Sequence, residues 1–264
     1  MLVQRVLSAV VLAPLIVAVT VAGGPWFVGI VIVAAGVALW EFYTLLRRAG
    51  NSPLWPFGFA LGLAFLLDAA LSPGRILAPA LALSLILSLL YMVFRQRVES
   101  SLGDWAVTWV PPLYVAFLAS FLVSLRFLPA GDRWIYLVAG VTWSTDVAAY
   151  FVGMAVGRRK FFPRISPRKT QEGALGGLIA GVACSALLAW LFGWDPLRFA
   201  AFGLLASIAA EAGDLAESLM KRQLQAKDAS QLIPGHGGVL DRLDSLLFVG
   251  VVTYWWAIWL GAGL

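Results

Sequence analysis

The chain has 264 residues, of which 61% are hydrophobic and 12% charged, and its mean hydropathy is +0.88. That usage lies far outside soluble globular proteins and excludes a water-soluble enzyme or a nucleic-acid-binding module; the net charge of +5 is first a signal of membrane orientation. A single cysteine, Cys184, excludes an intrachain disulfide and reads as a small residue inside a helix.

Apolar runs of about 20 residues recur along the chain, the length of a membrane-crossing helix. Ten-residue alternating segments, the mark of a membrane β-barrel, are missing. The expected fold is an all-α integral membrane protein, because a backbone in lipid must satisfy its own hydrogen bonds. Nine spans are predicted: Val6–Val21, Trp26–Leu46, Leu54–Leu71, Ile76–Phe94, Trp105–Leu125, Trp134–Val156, Ala174–Leu191, Phe199–Leu219 and Leu243–Leu260. The first is read as a retained helix, since no small-residue cleavage site and polar domain follow it. Gly23-Gly24-Pro25, Asn51-Ser52-Pro53, Ser72-Pro73-Gly74 and Asp195-Pro196 punctuate the runs. With nine spans, Arg75, Arg126, Arg133 and Arg198 fall on one side and the other fifteen of the nineteen basic residues on the opposite side. Basic residues favour the cytoplasm, so the N-terminus is expected there and the C-terminus outside.

Polar residues are distributed unevenly, which suggests two regions. Residues 1–130 form a lipid-embedded N-terminal region, suited to scaffolding, dimer contact or lipid access. Residues 131–264 form a catalytic region with loops 157–173 and 220–242. No internal repeat is visible. Glu41 and Asp68 are unexplained polar groups in the first region, open equally to helix-end snorkelling, a partner-facing role or a function.

The sixth predicted span contains Asp146, an expensive group in a membrane and hence a functional candidate; a carboxylate satisfied by neighbouring helices is the structural alternative. The loop Gly157–Gly173 carries six basic residues. Part of that charge simply holds topology. Ser166, Arg168, Lys169 and Thr170, followed by Glu172 and Gly173 at a helix start, also make a plausible phosphate cradle. No Walker-type glycine loop is present.

The stretch Glu211–Ser245 holds six of the fourteen acidic residues and the only histidine, His236. Glu211, Asp214, Ser218 and Arg222 share one helix face, whereas Glu217 and Lys221, four apart, can simply pair. Lys227 and Asp228 then lead through Gly235-His236-Gly237-Gly238 to Asp241, Arg242 and Asp244. Glycines let a backbone approach a ligand closely. Asp241 and Asp244, three apart at a helix start, can face one cation. Grouped carboxylates beside cations suggest Mg²⁺ and a phosphorylated substrate. One histidine and one cysteine in separate segments do not make a usual zinc ligand set.

The pattern Ser218-Leu219-Met220-Lys221-Arg222, Lys227-Asp228, Leu232-Ile233-Pro234-Gly235-His236-Gly237-Gly238 and Asp241-Arg242-Leu243-Asp244 resembles the signature of the phosphatidate cytidylyltransferase (CDP-diacylglycerol synthase) family. It covers 27 positions. The resemblance extends to Asp146…Tyr150, Ile165–Thr170 with Glu172-Gly173, and Gly213-Asp214. Arg168 stands where a lysine is common in the family. The N-terminal spans resemble it only in character, for example at Leu39-Trp40-Glu41-Phe42-Tyr43.

The resemblance implies a multi-pass enzyme of the inner membrane, expected as a homodimer, with its site at the cytoplasmic face. The implied reaction joins CTP and phosphatidate into CDP-diacylglycerol and pyrophosphate. Mg²⁺ is the implied cofactor, with a second cation allowed. Asp214 and Asp241, with Asp146 and Asp244 near, are the expected metal carboxylates. Lys169, Lys221 and Arg222 are expected to neutralise phosphate charge, with His236, Gly237 and Gly238 at the leaving pyrophosphate. Ser166, Arg168, Thr170, Glu172, Ser218, Lys227, Asp228 and Arg242 complete the expected substrate contacts. Two rivals differ: a CDP-alcohol phosphotransferase needs an Asp-Gly-x-x-Ala-Arg type of motif that is absent, and an anion transporter would couple transport to intramembrane acids.

Overall fold

The structure, a computed structural model, describes residues 14, 16–71, 73–95, 101–233 and 237–261. A helical stretch at 16–22 precedes α1 (Gly24–Arg48), α2 (Trp55–Leu71), α3 (Leu77–Arg95), α4 (Ser101–Pro111), a π-helical turn (Pro112–Phe117), α5 (Leu118–Phe127) and α6 (Gly131–Val156). Strands β1 (Lys160–Phe162) and β2 (Ser166–Thr170) follow, then α7 (Gln171–Phe192), α8 (Pro196–Gln223) and α9 (Leu240–Gly261). The chain is an all-α multi-pass membrane protein apart from that one small sheet. Among the described residues, six helical segments are long and apolar enough to cross a membrane: α1, α3, the continuous stretch Leu102–Phe127, α6, α7 and α8. The apolar α2 is shorter, and α9 carries the last predicted span. The predicted Val6–Val21 span lies largely outside the described residues.

The chain divides into two compact units: Met1–Phe127 with Leu224–Asp241, and Leu128–Gln223 with Arg242–Leu264. In the first, α2 packs on α1, on α5 and on the π-helical turn. That turn begins at Pro111-Pro112, where two missing N–H groups interrupt the α-helical ladder and the backbone widens. Side chains pin the helix ends. Tyr43, 1% exposed, donates from its hydroxyl to the Thr108 carbonyl at 2.6 Å. Asp104 accepts from the Ser52 amide at 2.9 Å, and Thr108 Oγ1 accepts from the Leu54 amide at 2.8 Å.

Asp68 is not a snorkelling side chain. Its Oδ1 accepts from the amides of Ile76 and Leu77 at 2.7 and 2.9 Å, and its Oδ2 from Gly74 at 2.9 Å. It therefore satisfies donors at the start of α3, as a capping carboxylate does, from the preceding helix. Apolar residues along α3, including Leu83, Ile86, Leu90 and Phe94, remain exposed, as a lipid-facing surface requires.

In the second unit α7 packs closely against α6 and α8. The contact is built on glycines four apart, Gly173, Gly177 and Gly181. A Cβ on Gly173 would lie 2.7 Å from the Ala149 carbonyl, and one on Gly177 would lie 2.9 Å from the Thr145 carbonyl. Small residues allow membrane helices this approach, where lipid gives no hydrophobic drive for association. The result brings the Thr145–Ala149 turn of α6, which holds Asp146, against α7. Gly213 does the same for α8 and α9, since a Cβ there would meet the Asp244 carbonyl at 2.5 Å.

Candidate active site

The basic loop of the second unit is an antiparallel hairpin in which Lys160 faces Thr170 and Phe162 faces Ser166. Its strands are too short and too charged to show an alternating pattern. Its order comes from the helix that follows. Thr170 is the N-cap of α7, its side chain accepting from the Gly173 amide at 3.1 Å. The half-buried Glu172 accepts from the amides of Arg158 at 3.0 Å and Arg159 at 3.2 Å, closing the base of the hairpin. Arg222, from the last turn of α8, donates through Nε to the Ile165 carbonyl at 3.2 Å. Thr170, Glu172 and Arg222 thus hold the hairpin in shape. Arg168 lies exposed on β2, and Ser166 is half-buried.

Lys169 is aimed by this hairpin at α8, where its Nζ stands 2.6 Å from Asp214 Oδ2. Ser218, one turn further along α8, donates to Asp214 Oδ1 at 3.2 Å. Both carboxylate oxygens are therefore oriented. The side chains of Lys169 and Asp214 remain 27% and 33% exposed, so the pair is open to a ligand. One turn later Lys221 and Glu217 form the expected pair at 2.7 Å, and it is buried, with Glu217 1% and Lys221 9% exposed.

Asp146 is exposed on α6 and Asp244 half-buried near the start of α9. Asp146 feels the charges of Asp244 and Asp214 and, in the opposite sense, those of Lys169 and Arg242. Asp244 feels Asp214, Arg242 and Lys221. Its Oδ1 accepts from the Ser245 amide at 2.7 Å, while Ser245 Oγ donates to the Ala210 carbonyl at 3.0 Å and seats α9 on α8. Three carboxylates and three cations thus share one electrostatic neighbourhood in this unit.

Among the described residues no three Asp, Glu, His or Cys side chains converge tightly enough to enclose a metal ion alone. The donor chemistry nevertheless suits Mg²⁺, which keeps several waters and commonly takes only one or two carboxylates plus substrate phosphates. Lys169 already places a cation on Asp214. Beside them Glu211 Oε1 is buried without a hydrogen-bond partner among the described residues, a second hard oxygen in the same region.

The glycine loop belongs to the first unit. Asp241, 6% exposed, accepts at Oδ2 from the amides of Gly238 at 2.7 Å and Ala229 at 2.8 Å. Gly237 has φ 79°, and a Cβ there would press on the same oxygen, so glycine is required twice over. The loop narrows where the Ile233 amide bonds to the Gly237 carbonyl at 2.8 Å. Lys227 and Asp228 are exposed before it. His236, with Pro234 and Gly235, lies outside the described residues.

Sequence reasoning singled out Glu41 but left its role open. It is fully buried, and it accepts from Ser230 Oγ at 2.5 Å and from the amides of Val239 and Leu240 at 3.1 and 2.7 Å. The snorkelling and partner-facing readings are both overturned. The signals available were a lone carboxylate in an apolar run and the likeness in character of Leu39–Tyr43 to the family, neither of which names its partners.

An all-helical, multi-pass membrane protein that gathers carboxylates, lysines and arginines at its helix ends has the makings of a membrane enzyme for anionic substrates. The chain belongs to the cytidylyltransferase family, whose sequence model matches residues 3–259, and it is a nucleotidyltransferase. It is 37% identical to the phosphatidate cytidylyltransferase of Brucella suis, over 95% of this chain and 91% of that protein. It is 31% identical to that of Bacillus subtilis, over 95% of this chain and 96% of the relative. It is 30% identical to that of Synechocystis sp., over 97% and 96% respectively. The resemblance carried by the signature residues is thereby borne out.

Proposed function

We propose that this protein transfers the cytidylyl group of CTP to phosphatidate, giving CDP-diacylglycerol and pyrophosphate for phospholipid synthesis. The observation that carries the reading is the Lys169–Asp214–Ser218 arrangement, within electrostatic reach of Asp146 and Asp244. The names of relatives matched over nearly their whole length support the substrates.

An ionised phosphatidate oxygen attacks the α-phosphorus of CTP in line. A new P–O bond forms to the lipid phosphate as the bond to the β-phosphate oxygen breaks, and pyrophosphate leaves. The nucleophile is already an anion, so no strong general base is needed. The work is charge neutralisation and positioning. Asp214, with Asp146 or Asp244, would hold Mg²⁺ together with substrate phosphates, and a second cation is allowed. Bound there, Mg²⁺ supplies charge neutralisation and polarises phosphoryl oxygens.

Lys169 exchanges Asp214 for a phosphate oxygen as the nucleotide enters. Lys221 and Arg242 add positive potential, and Arg222, Arg168 and Ser166 hold or extend the hairpin that presents Lys169. Asp241 shapes the loop that carries Gly237 and Gly238; His236, Gly237, Gly238, Lys227 and Asp228 are proposed as contacts of the leaving pyrophosphate and substrate. Nine spans, a cytoplasmic N-terminus and an external C-terminus would place the loops of residues 157–173 and 220–242 at the cytoplasmic face of the inner membrane. Phosphatidate would enter laterally from the inner leaflet. The assembly is proposed as a homodimer.

The test is a pair of labels. Purified protein is incubated with phosphatidate, Mg²⁺ and CTP labelled at either the α- or the γ-phosphate. The α-label is expected in the lipid and the γ-label in pyrophosphate. No labelled lipid, or uptake of an anion into vesicles instead, would overturn the reading.

A further inference from the structure

Glu41 has no place in the reaction just described, yet it is among the most constrained side chains of the molecule. It sits in α1, a helix of otherwise apolar character, with none of its surface exposed. A carboxylate buried there costs several kcal/mol unless charged or polar donors surround it. Its donors come from 189 to 199 residues away in sequence. Two are the amides of Val239 and Leu240, at the opening of α9, where unsatisfied N–H groups and the helix dipole favour an anion. The third is the Ser230 hydroxyl at the other end of the glycine loop. A Cβ on Gly238 would lie 2.5 Å from Glu41 Oε1, so this residue is glycine for the carboxylate's sake.

We infer that Glu41 is a positioning residue: it clamps both ends of the 230–240 loop and sets the first turn of α9, which carries Asp241. Together Glu41 and Asp241 make a double clamp. Glu41 grips Ser230, Val239 and Leu240, and Asp241 grips Ala229 and Gly238. Neither carboxylate alone reaches all five groups. The role assigned to Glu41 rests on the cytidylyltransferase reading of the loop, but the clamp itself can be measured without turnover.

Glutamine in place of Glu41 keeps the size of the side chain but offers one acceptor oxygen, and turns an N–H₂ group toward backbone N–H donors. Glu41→Gln is expected to lower kcat for CDP-lipid formation about 10- to 100-fold, with KM for CTP changed less than about twofold. Amide hydrogen exchange should rise at least tenfold in peptides covering 229–241 and stay unchanged in α6, α7 and α8. Glu41→Asp, which keeps the charge, should recover part of kcat. Ser230→Ala, which removes only one of the three contacts, should cost about two- to threefold. A residue that merely stabilises the fold would instead raise exchange throughout and leave kcat per folded molecule intact.

Wild-type kcat and wild-type exchange in Glu41→Gln would overturn the inference, as would a uniform rise in exchange. Should Glu41→Gln not fold, the exchange of 229–241 in Glu41→Asp and Ser230→Ala decides it: protection lost there supports the clamp, and protection unchanged in both overturns it. Failure of wild-type protein to make CDP-lipid would sink the cytidylyltransferase reading, and the exchange comparison would still decide the clamp.

Discussion

In the first unit Glu41, Asp68 and Asp241 give their oxygens mainly to backbone amides. In the second, Lys169 pairs with Asp214, and Asp146, Asp214 and Asp244 lie within electrostatic reach of one another and of Lys169, Lys221 or Arg242. The same residue type is therefore put to two uses. A buried carboxylate bound to amides is committed to shape, and its removal leaves desolvated donors without partners. A carboxylate held against other charges can exchange partners, and its loss should be felt by an anionic substrate and its metal.

That contrast can be broken by substitution. Asp244→Asn is expected to lower kcat about 100-fold and raise the Mg²⁺ concentration needed for half-maximal rate, with an unchanged melting temperature in detergent. Steady-state assays with Mg²⁺ titration check both. Asp241→Asn should lower kcat about 10-fold and also lose about 2 kcal/mol of stability, read as a lower melting temperature, because two buried amides lose a charged acceptor. Lys169→Ala should raise KM for CTP or phosphatidate about 10-fold at nearly constant kcat; an unchanged KM for both removes it from the site. Thr170→Ala should leave the activity of folded protein within about twofold and cost about 1 kcal/mol through the lost cap, visible in thermal denaturation alone.

Much of the fold was legible because the bilayer imposes a simple rule. Runs of about 20 apolar residues predicted helices whose observed ends differ by only a few positions for α1, α3, α6, α7 and α8. The Glu217–Lys221 pair followed from helical spacing, and Lys169 and Asp214 were both singled out, although nothing local joins residues 45 positions apart. The hairpin was read as a loop, because Pro167 and the basic run hide strands of three and five residues. The cap was visible in principle, since Thr170 stands directly before an apolar helix with Glu172 in its first turn. Glu41 and Asp68 were opaque for a different reason. Their partners are backbone amides, which every sequence supplies everywhere, so only the folded chain shows which amides they meet.

The central claim is that the charged set around Asp214 transfers the cytidylyl group while the amide-bound acids hold the scaffold. It is tested most directly by comparing Asp214→Asn and Asp68→Asn side by side in vesicles containing phosphatidate, with CTP and Mg²⁺ saturating. The account predicts that Asp214→Asn, folded and extractable, loses at least about 100-fold of CDP-lipid formation. Asp68→Asn should melt earlier yet keep wild-type kcat per folded molecule. Full activity in Asp214→Asn, or equal loss in both variants, would contradict it.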